Sequence, residues 1–491
     1  MNTFDQSGSD SKPTTKQTYD TQPPANLVSF MLKDWKPVVP KIVPVKLAKA
    51  FKRRRDTLSK LFPGDLLVIP TGHQKIRSND TFYPFRAGSD FFHLTGNHEP
   101  DCVLVLAPEK QGHRQLLFVD ENFGKTNSTF FTDRIKGELW EGVGVVLGVP
   151  ESAKKYGIEC LPVNTLETFL ADAVNKSKNA RVAPGFDEKL EDWSHKKNLP
   201  DQKIKNHELA VALSEMRLIK DDEEIREMSQ VIKSTKLGFE DVIRRLKTAQ
   251  TEREVEGVFY TRARTEGNDV GYGTIAASGE HACTLHWKRN DGKIRKTDLL
   301  LLDAGVEGHW LYTADITRTL PIGGKFSREQ RIVYDLVYEA QLAAFKQVKP
   351  GNDFMAPNQA AMKVLTAGLV ALGILKCSAE EALKPDNHFY RRYTLHNVSH
   401  MLGIDVHDCA QARAETYKFG KLQAGMVLTV EPGLYFQPDD LTVPPKFRGI
   451  GVRIEDDVVV TSQGHRNLSG NIPREASEVE KWIQTTWKKK G

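Results

Sequence analysis

The stretch Leu299–Leu320, LLLLDAGVEGHWLYTADITRTL, places two apolar runs on either side of a Gly-rich turn, and each run is interrupted by one aspartate. Leu299–Leu302 reads as a buried strand ending in Asp303. Tyr312–Leu320 reads as a second strand with Asp315 inside it, so the pair predicts a β-hairpin. A carboxylate within a buried strand is costly unless it is paired or bound to metal. The same interruption recurs downstream: Glu431 follows GMVLTV and precedes a Pro-Gly turn, and Glu455 lies within IGVRIEDDVVVT.

Histidines accompany these acids. His396, His400 and His407 lie in YTLHNVSHMLGIDVHD, and His286 lies in CTLHW. A spacing of four predicts a helix or helix–turn that brings the first two within reach of each other. One buried histidine is ordinarily a satisfied core residue, whereas this grouping beside four strand-borne acids points to a site. Four carboxylates and one imidazole nearly neutralise a pair of divalent ions. Their oxygen-rich chemistry favours Mn²⁺ over a thiolate zinc site, with Zn²⁺ or Co²⁺ as alternatives. Two such ions sharing a water favour hydrolysis.

Outside these runs the second half is helical over Val211–Leu218, through KDDEEIREMSQVIKSTKLGFEDVIRRL, and over Glu252–Glu266, Arg328–Gln347 and Asn358–Leu372. Strands return at Met426–Val430 and Gly451–Thr461. The expected architecture is a helix-covered sheet of antiparallel pieces, an α+β catalytic domain over residues 206–480.

Before it, residues 43–205 alternate strands and helices as an α/β domain. Strands are expected at Leu66–Pro70, Cys102–Ala107 and Gln115–Val119. The alternation continues through Leu139–Val149, Ile158–Cys160 and the helical Leu166–Val174. A basic amphipathic helix over Val43–Leu61 is read as a solvated face packed on its own domain. Residues 1–42 are expected to be a flexible polar segment, and 481–491 a basic tail.

The 491 residues carry a net charge of +5, too little for an electrostatic nucleic-acid binder of this length, so no nucleic-acid partner is expected. No run of apolar residues is long enough to span a membrane. Five scattered cysteines without metal-clip spacing, and an acidic polar start, predict a reduced, cytoplasmic protein. Dinucleotide, P-loop and H-E-x-x-H motifs are missing from the sequence.

Taken together, LLLLDAG with YTADITRTLP, HNVSHMLGIDVHD, LTVEPGLYF and GVRIEDDVVVT resemble the dimetal metallopeptidases of the pita-bread fold, and among these the aminopeptidase P family most. Thr81–Leu106, TFYPFRAGSDFFHLTGNHEPDCVLVL, resembles that family's N-terminal domain. The resemblance implies metal ligation by Asp303, Asp315, His400, Glu431 and Glu455, with Asp315 and Glu455 bridging two ions. It implies that His286, His396 and His407 line the substrate side, that Glu431 orients the attacking bridging hydroxide, and that Arg453 is a supporting or substrate-contacting cation. The implied substrates are peptides with an Xaa-Pro N-terminus, and the implied assembly is a homodimer or homotetramer. The alternative is an Xaa-Pro dipeptidase (prolidase), for which Arg392, Arg413 or Arg448 would clamp the substrate carboxylate. The sequence departs from the family in two places. Asn397 stands where glycine is usual, which raises the question of a left-handed backbone there, and one extra residue lies between Asp303 and Asp315.

Overall fold

The computed structural model describes residues 22–36, 41–197 and 201–489. The chain forms two units, Met1–Ala210 and Val211–Gly491.

In the first unit the strands lie in the order Glu159–Pro162, His113–Val119, Val103–Pro108, Leu66–Pro70, Ala180–Val182. The inner three pair antiparallel and the outer two join in parallel. One face buries Leu66, Val68, Val105, Leu116 and Phe118 against Leu166 and Leu170 of the helix Leu166–Ala173. The expected basic helix runs over Ala48–Leu61, but its cations are not all solvated. Arg55 is buried, with Nη1 donating to Leu94 O at 2.7 Å and Nε to Gln115 Oε1 at 2.7 Å. Desolvation lowers its pKa to about 10.

Three further expectations are corrected. Within residues 1–42, Ala25–Met31 is helical; residues 1–21 and 37–40 lie outside the described residues. Leu139–Val149 holds no strand: Glu138–Glu141 is a helical turn, and Gly142, Gly144 and Gly148 then take φ of 96°, 92° and 85°, which no ladder tolerates. The domain boundary near 205 falls inside the helix Gln202–Met216.

The second unit has the expected hairpin. Leu299–Ala304 pairs antiparallel with Ile316–Pro321, Asp303 opposite Thr317, and on its other edge with Ile275–Ser278. Val427–Val430 pairs with Asp456–Val460, and Gly433–Tyr435 with Gly451–Arg453. Gly451–Thr461 is therefore two strands, divided at Ile454–Glu455, where the chain changes partner.

The helix Asp222–Leu246 starts in a capping box of Asp221 and Glu224, a device worth about 1 kcal/mol. It lays Val231, Phe239, Val242 and Ile243 into a core shared with Leu300, Leu302, Leu428, Val430, Val452 and Ile454. The expected basic tail is also corrected. The helix Ala476–Lys488 takes up its first part because Val479, Trp482 and Ile483 are buried in the same core; residues 490–491 lie outside the described residues.

Candidate metal centre

Period-two alternation decides which face carries the acids. Leu300, Leu302 and Ala304 enter the helix-covered core, so Asp303 points to the opposite face. Ala314 and Ile316 enter the core, leaving Asp315 and Thr317 across from it. Leu428 and Val430 do the same for Glu431, and Val452 and Ile454 for Arg453 and Glu455. Five charged positions from four chain segments thus lie on the side away from the helix-covered core.

On that side Asp315, His400 and Glu455 bring ligand atoms within 4.8 Å of one another. His400 Nε2 lies 3.3 Å from Asp315 Oδ2 and 3.5 Å from Glu431 Oε1. Its Nδ1 sits 3.1 Å from Met401 O, an acceptor that places a proton on Nδ1 and turns Nε2 toward the acids. Arg453, buried, donates through Nη2 to Asp303 Oδ2 at 2.6 Å, through Nη1 to the Tyr435 hydroxyl at 2.9 Å, and through Nε to Thr317 Oγ1 at 3.2 Å. Thr317 Oγ1 in turn donates to Glu455 Oε2 at 2.7 Å.

The electrostatics record a shortage of positive charge. Burial raises the pKa of Asp303, with Arg453 opposing and Asp315 adding to the rise. Burial lifts Glu431 to about 7, despite His400 and Arg453. Glu455 is raised well above the carboxylate range by burial and by Asp315, Glu431 and Asp303. For His400 burial works against the charge, but the hydrogen bond to Asp315 and the Glu431 carboxylate outweigh it and raise it to about 9. Four buried or half-buried acids thus face one permanent cation, Arg453. Their oxygen donors, with a single presented imidazole nitrogen, fit hard divalent ions.

The three remaining histidines lie to one side. His396 Nδ1 donates to Asn397 O at 2.9 Å and lies 3.4 Å from Glu431 Oε2, while its Nε2 accepts from the Tyr435 hydroxyl at 2.7 Å. Burial and then Arg453 lower its pKa to about 3, so the ring is neutral. The His407 ring stands edge-on to His400 at 4.4 Å, and burial followed by the His400 charge lowers its pKa. His286 is exposed, and its charge is one of those depressing His396 and His407.

The expected helix over His396–His400 is not there. The segment is extended, with Thr429 N donating to His400 O and Glu431 N to Val398 O. The two rings reach Glu431 because their loop lies alongside Glu431's own strand. Asn397 is not among the residues at positive φ. The longer Asp303–Asp315 connection turns at Leu311, buried with φ of 61°.

Sequence reasoning missed three contributors. The Tyr272 hydroxyl sits 2.6 Å from Asp303 Oδ1 and 2.5 Å from Asp315 Oδ1, serving one carboxylate with its proton at a time. Tyr435 and Thr317 relay Arg453 to His396 and Glu455. Residue alternation could have flagged Thr317, two positions after Asp315, but a lone tyrosine in GYG carries no pattern.

Comparison with known proteins agrees along the chain. Residues 226–462 match the model of metallopeptidase family M24, and 51–183 match that of the aminopeptidase P N-terminal domain. Xaa-Pro aminopeptidase 1 of Streptomyces coelicolor is 49% identical over 442 residues, 90% of this chain and 88% of that protein. Xaa-Pro aminopeptidase of Escherichia coli is 32% identical over 88% of this chain and 96% of its own length. The structure of zinc-substituted E. coli aminopeptidase P in complex with product superposes with a TM-score of 0.81 at 31% identity, covering 91% of this chain and all of that one.

Proposed function

The chain belongs to the Xaa-Pro aminopeptidase family of M24 metallopeptidases, and on that footing we propose that it is a metal-dependent exopeptidase releasing the N-terminal residue from peptides with proline second. The observation that carries this is the convergence of Asp303, Asp315, His400, Glu431 and Glu455, with too few fixed cations among them.

These five residues would hold two divalent ions, Mn²⁺ by the oxygen-rich donor set. When bound, the ions supply Lewis acidity and a water acidic enough to act as nucleophile near neutral pH. Glu431, itself one of the five, would orient that water. His396 is held neutral, its ring fixed by the Arg453–Tyr435 relay. It acts as a positioned hydrogen-bonding partner beside Glu431, not as a charged acid. His407 and His286 line the same side and are assigned to the substrate carbonyl and the departing proline nitrogen.

An Xaa-Pro dipeptidase needs a cation for the carboxylate directly after proline. The three arginines considered for that role are engaged elsewhere. Arg392 pairs with Asp440 at 2.8 Å, Arg413 with Glu215 at 2.7 Å, and Arg448 Nε donates to Val443 O at 2.8 Å. This favours the aminopeptidase. The family also supports a homodimer or homotetramer, and five free cysteines support a reducing, cytoplasmic setting. The deciding experiment compares Gly-Pro with Arg-Pro-Pro as substrates of the Mn-loaded protein. Hydrolysis of Arg-Pro-Pro, with release of arginine, is expected; turnover of the dipeptide alone would make the protein a prolidase.

A further inference from the structure

Glu252, the first residue of the helix Glu252–Glu266, is fully buried and accepts four hydrogen bonds, two on each oxygen. Oε1 receives Ser278 N at 2.7 Å and His281 Nδ1 at 2.8 Å; Oε2 receives Trp287 Nε1 at 2.8 Å and Gly292 N at 2.7 Å. The donors come from the two ends and the middle of one loop, 278–292. Its backbone is tied again where Glu252 N donates to Gly292 O at 3.0 Å. The His281 and Trp287 rings stack at 3.9 Å, 22° from parallel. A buried carboxylate with all its acceptor positions filled is rigid and costly to disturb. Just before the loop, Ile275–Ser278 pairs with Leu299–Ala304, Ile275 opposite Asp303.

His286, exposed, directly precedes the held indole. We propose that Glu252 is a positioning residue that sets His286 against the substrate, acting through the Trp287 indole and the closed loop. The proposal rests on the substrate-side role given to His286 above. Glu252 does not itself touch the reacting atoms. It fixes where the next residue's imidazole can stand, and displacing a catalytic contact by about 1 Å costs up to roughly 100-fold in rate.

Trp287→Phe keeps an aromatic ring to stack on His281 and removes only the indole N–H. Glu252→Gln keeps the shape but points an amide donor at N–H groups. Each is assayed for bound Mn, for circular dichroism and for kcat/KM on Arg-Pro-Pro, alone and combined with His286→Ala. Both are expected to lose about 10- to 100-fold in kcat/KM with metal content unchanged. Neither should lose anything further when His286 is already alanine. Should Glu252→Gln fail to fold, Trp287→Phe decides. Losses that multiply with that of His286→Ala, or an unchanged Trp287→Phe, overturn the positioning role. Undiminished kcat/KM in His286→Ala also overturns it, by removing His286 from the substrate side while the peptidase activity itself stands.

Discussion

Two of the buried acidic sites in the second unit are built on opposite charge plans. Asp408 receives Arg217 Nε at 2.9 Å and Lys220 Nζ at 3.0 Å, and all three side chains are buried. Burial works against the Asp408 charge, but Lys220 and Arg217 hold its pKa well below the usual carboxylate range. At the other cluster Asp303, Glu431 and Glu455 all move upward. Both are shielded from water, so burial does not distinguish them. The first carries its cations on the chain and is structural. The second leaves them to be supplied from solution, which is what a metal centre requires.

The sharpest way to break this contrast is at the histidines of the second cluster. His400→Ala removes the imidazole assigned as a ligand, so one ion and the activity should be lost together. His396→Ala should keep both ions while kcat/KM falls by about 10²- to 10⁴-fold. Metal analysis and kinetics on both variants at saturating Mn check this; an ion lost only from His396→Ala reverses the two roles. Next, Asp315→Asn should weaken Mn binding more than Asp303→Asn, because a bridging carboxylate serves two ions. Calorimetric Mn titration of each variant reads the difference, and equal mild losses place Asp315 outside the centre.

Stability without metal separates the clusters by a smaller margin. Asp408→Asn leaves Arg217 and Lys220 without their buried anion and should cost about 3–5 kcal/mol. Glu455→Gln removes an acid whose charge is already disfavoured by burial and by its acidic neighbours, and should shift stability by no more than about 1 kcal/mol. Urea unfolding in chelator measures both, and similar losses would erase the distinction.

The pH dependence of the metal-free protein tests the same charge plan. Folding raises Glu431 from 4.5 to about 7, so between these values the folded state holds a proton that the unfolded state has released, and stability falls as pH rises. His400 is raised from 6.5 to about 9, so its contribution is full below 6.5 and lost as pH rises through 9. Asp408 has the opposite sign: its contribution is present above its ordinary 3.8 and is lost as pH falls below that. His396, lowered from 6.5 to about 3, has the opposite sign and offsets Glu431 below pH 6.5, so metal-free stability should decline from about pH 6.5 to about pH 9, and Mn should flatten the decline. A rise over that range would contradict the charge assignment.

The same physics explains what could be read in the sequence. Asp303, Asp315, Glu431 and Glu455 stood out because each breaks an apolar β run, and strand alternation alone places them on the side away from the core. The Glu252–Glu266 helix was legible to the residue because Thr251 caps it and a Gly follows it. The His396–His400 pair was misread because a spacing of four is the helical period, while long-range pairing with Val427–Glu431 governs that segment. Leu139–Val149 misled because its alternation is strand-like but its three glycines adopt left-handed angles. Tyr272 and the Glu252 clasp were invisible because their partners lie tens of residues away, and no local period encodes them.

The account's central claim is that the acid-rich cluster is completed by metal and that this makes the protein a peptidase. The direct measurement counts ions bound per chain after reconstitution with Mn and follows Arg-Pro-Pro hydrolysis as a chelator withdraws them. About two ions per chain, with activity falling to nothing as they leave and returning when Mn is restored, is the expected result. No bound ion, or full hydrolysis in excess chelator, would contradict it.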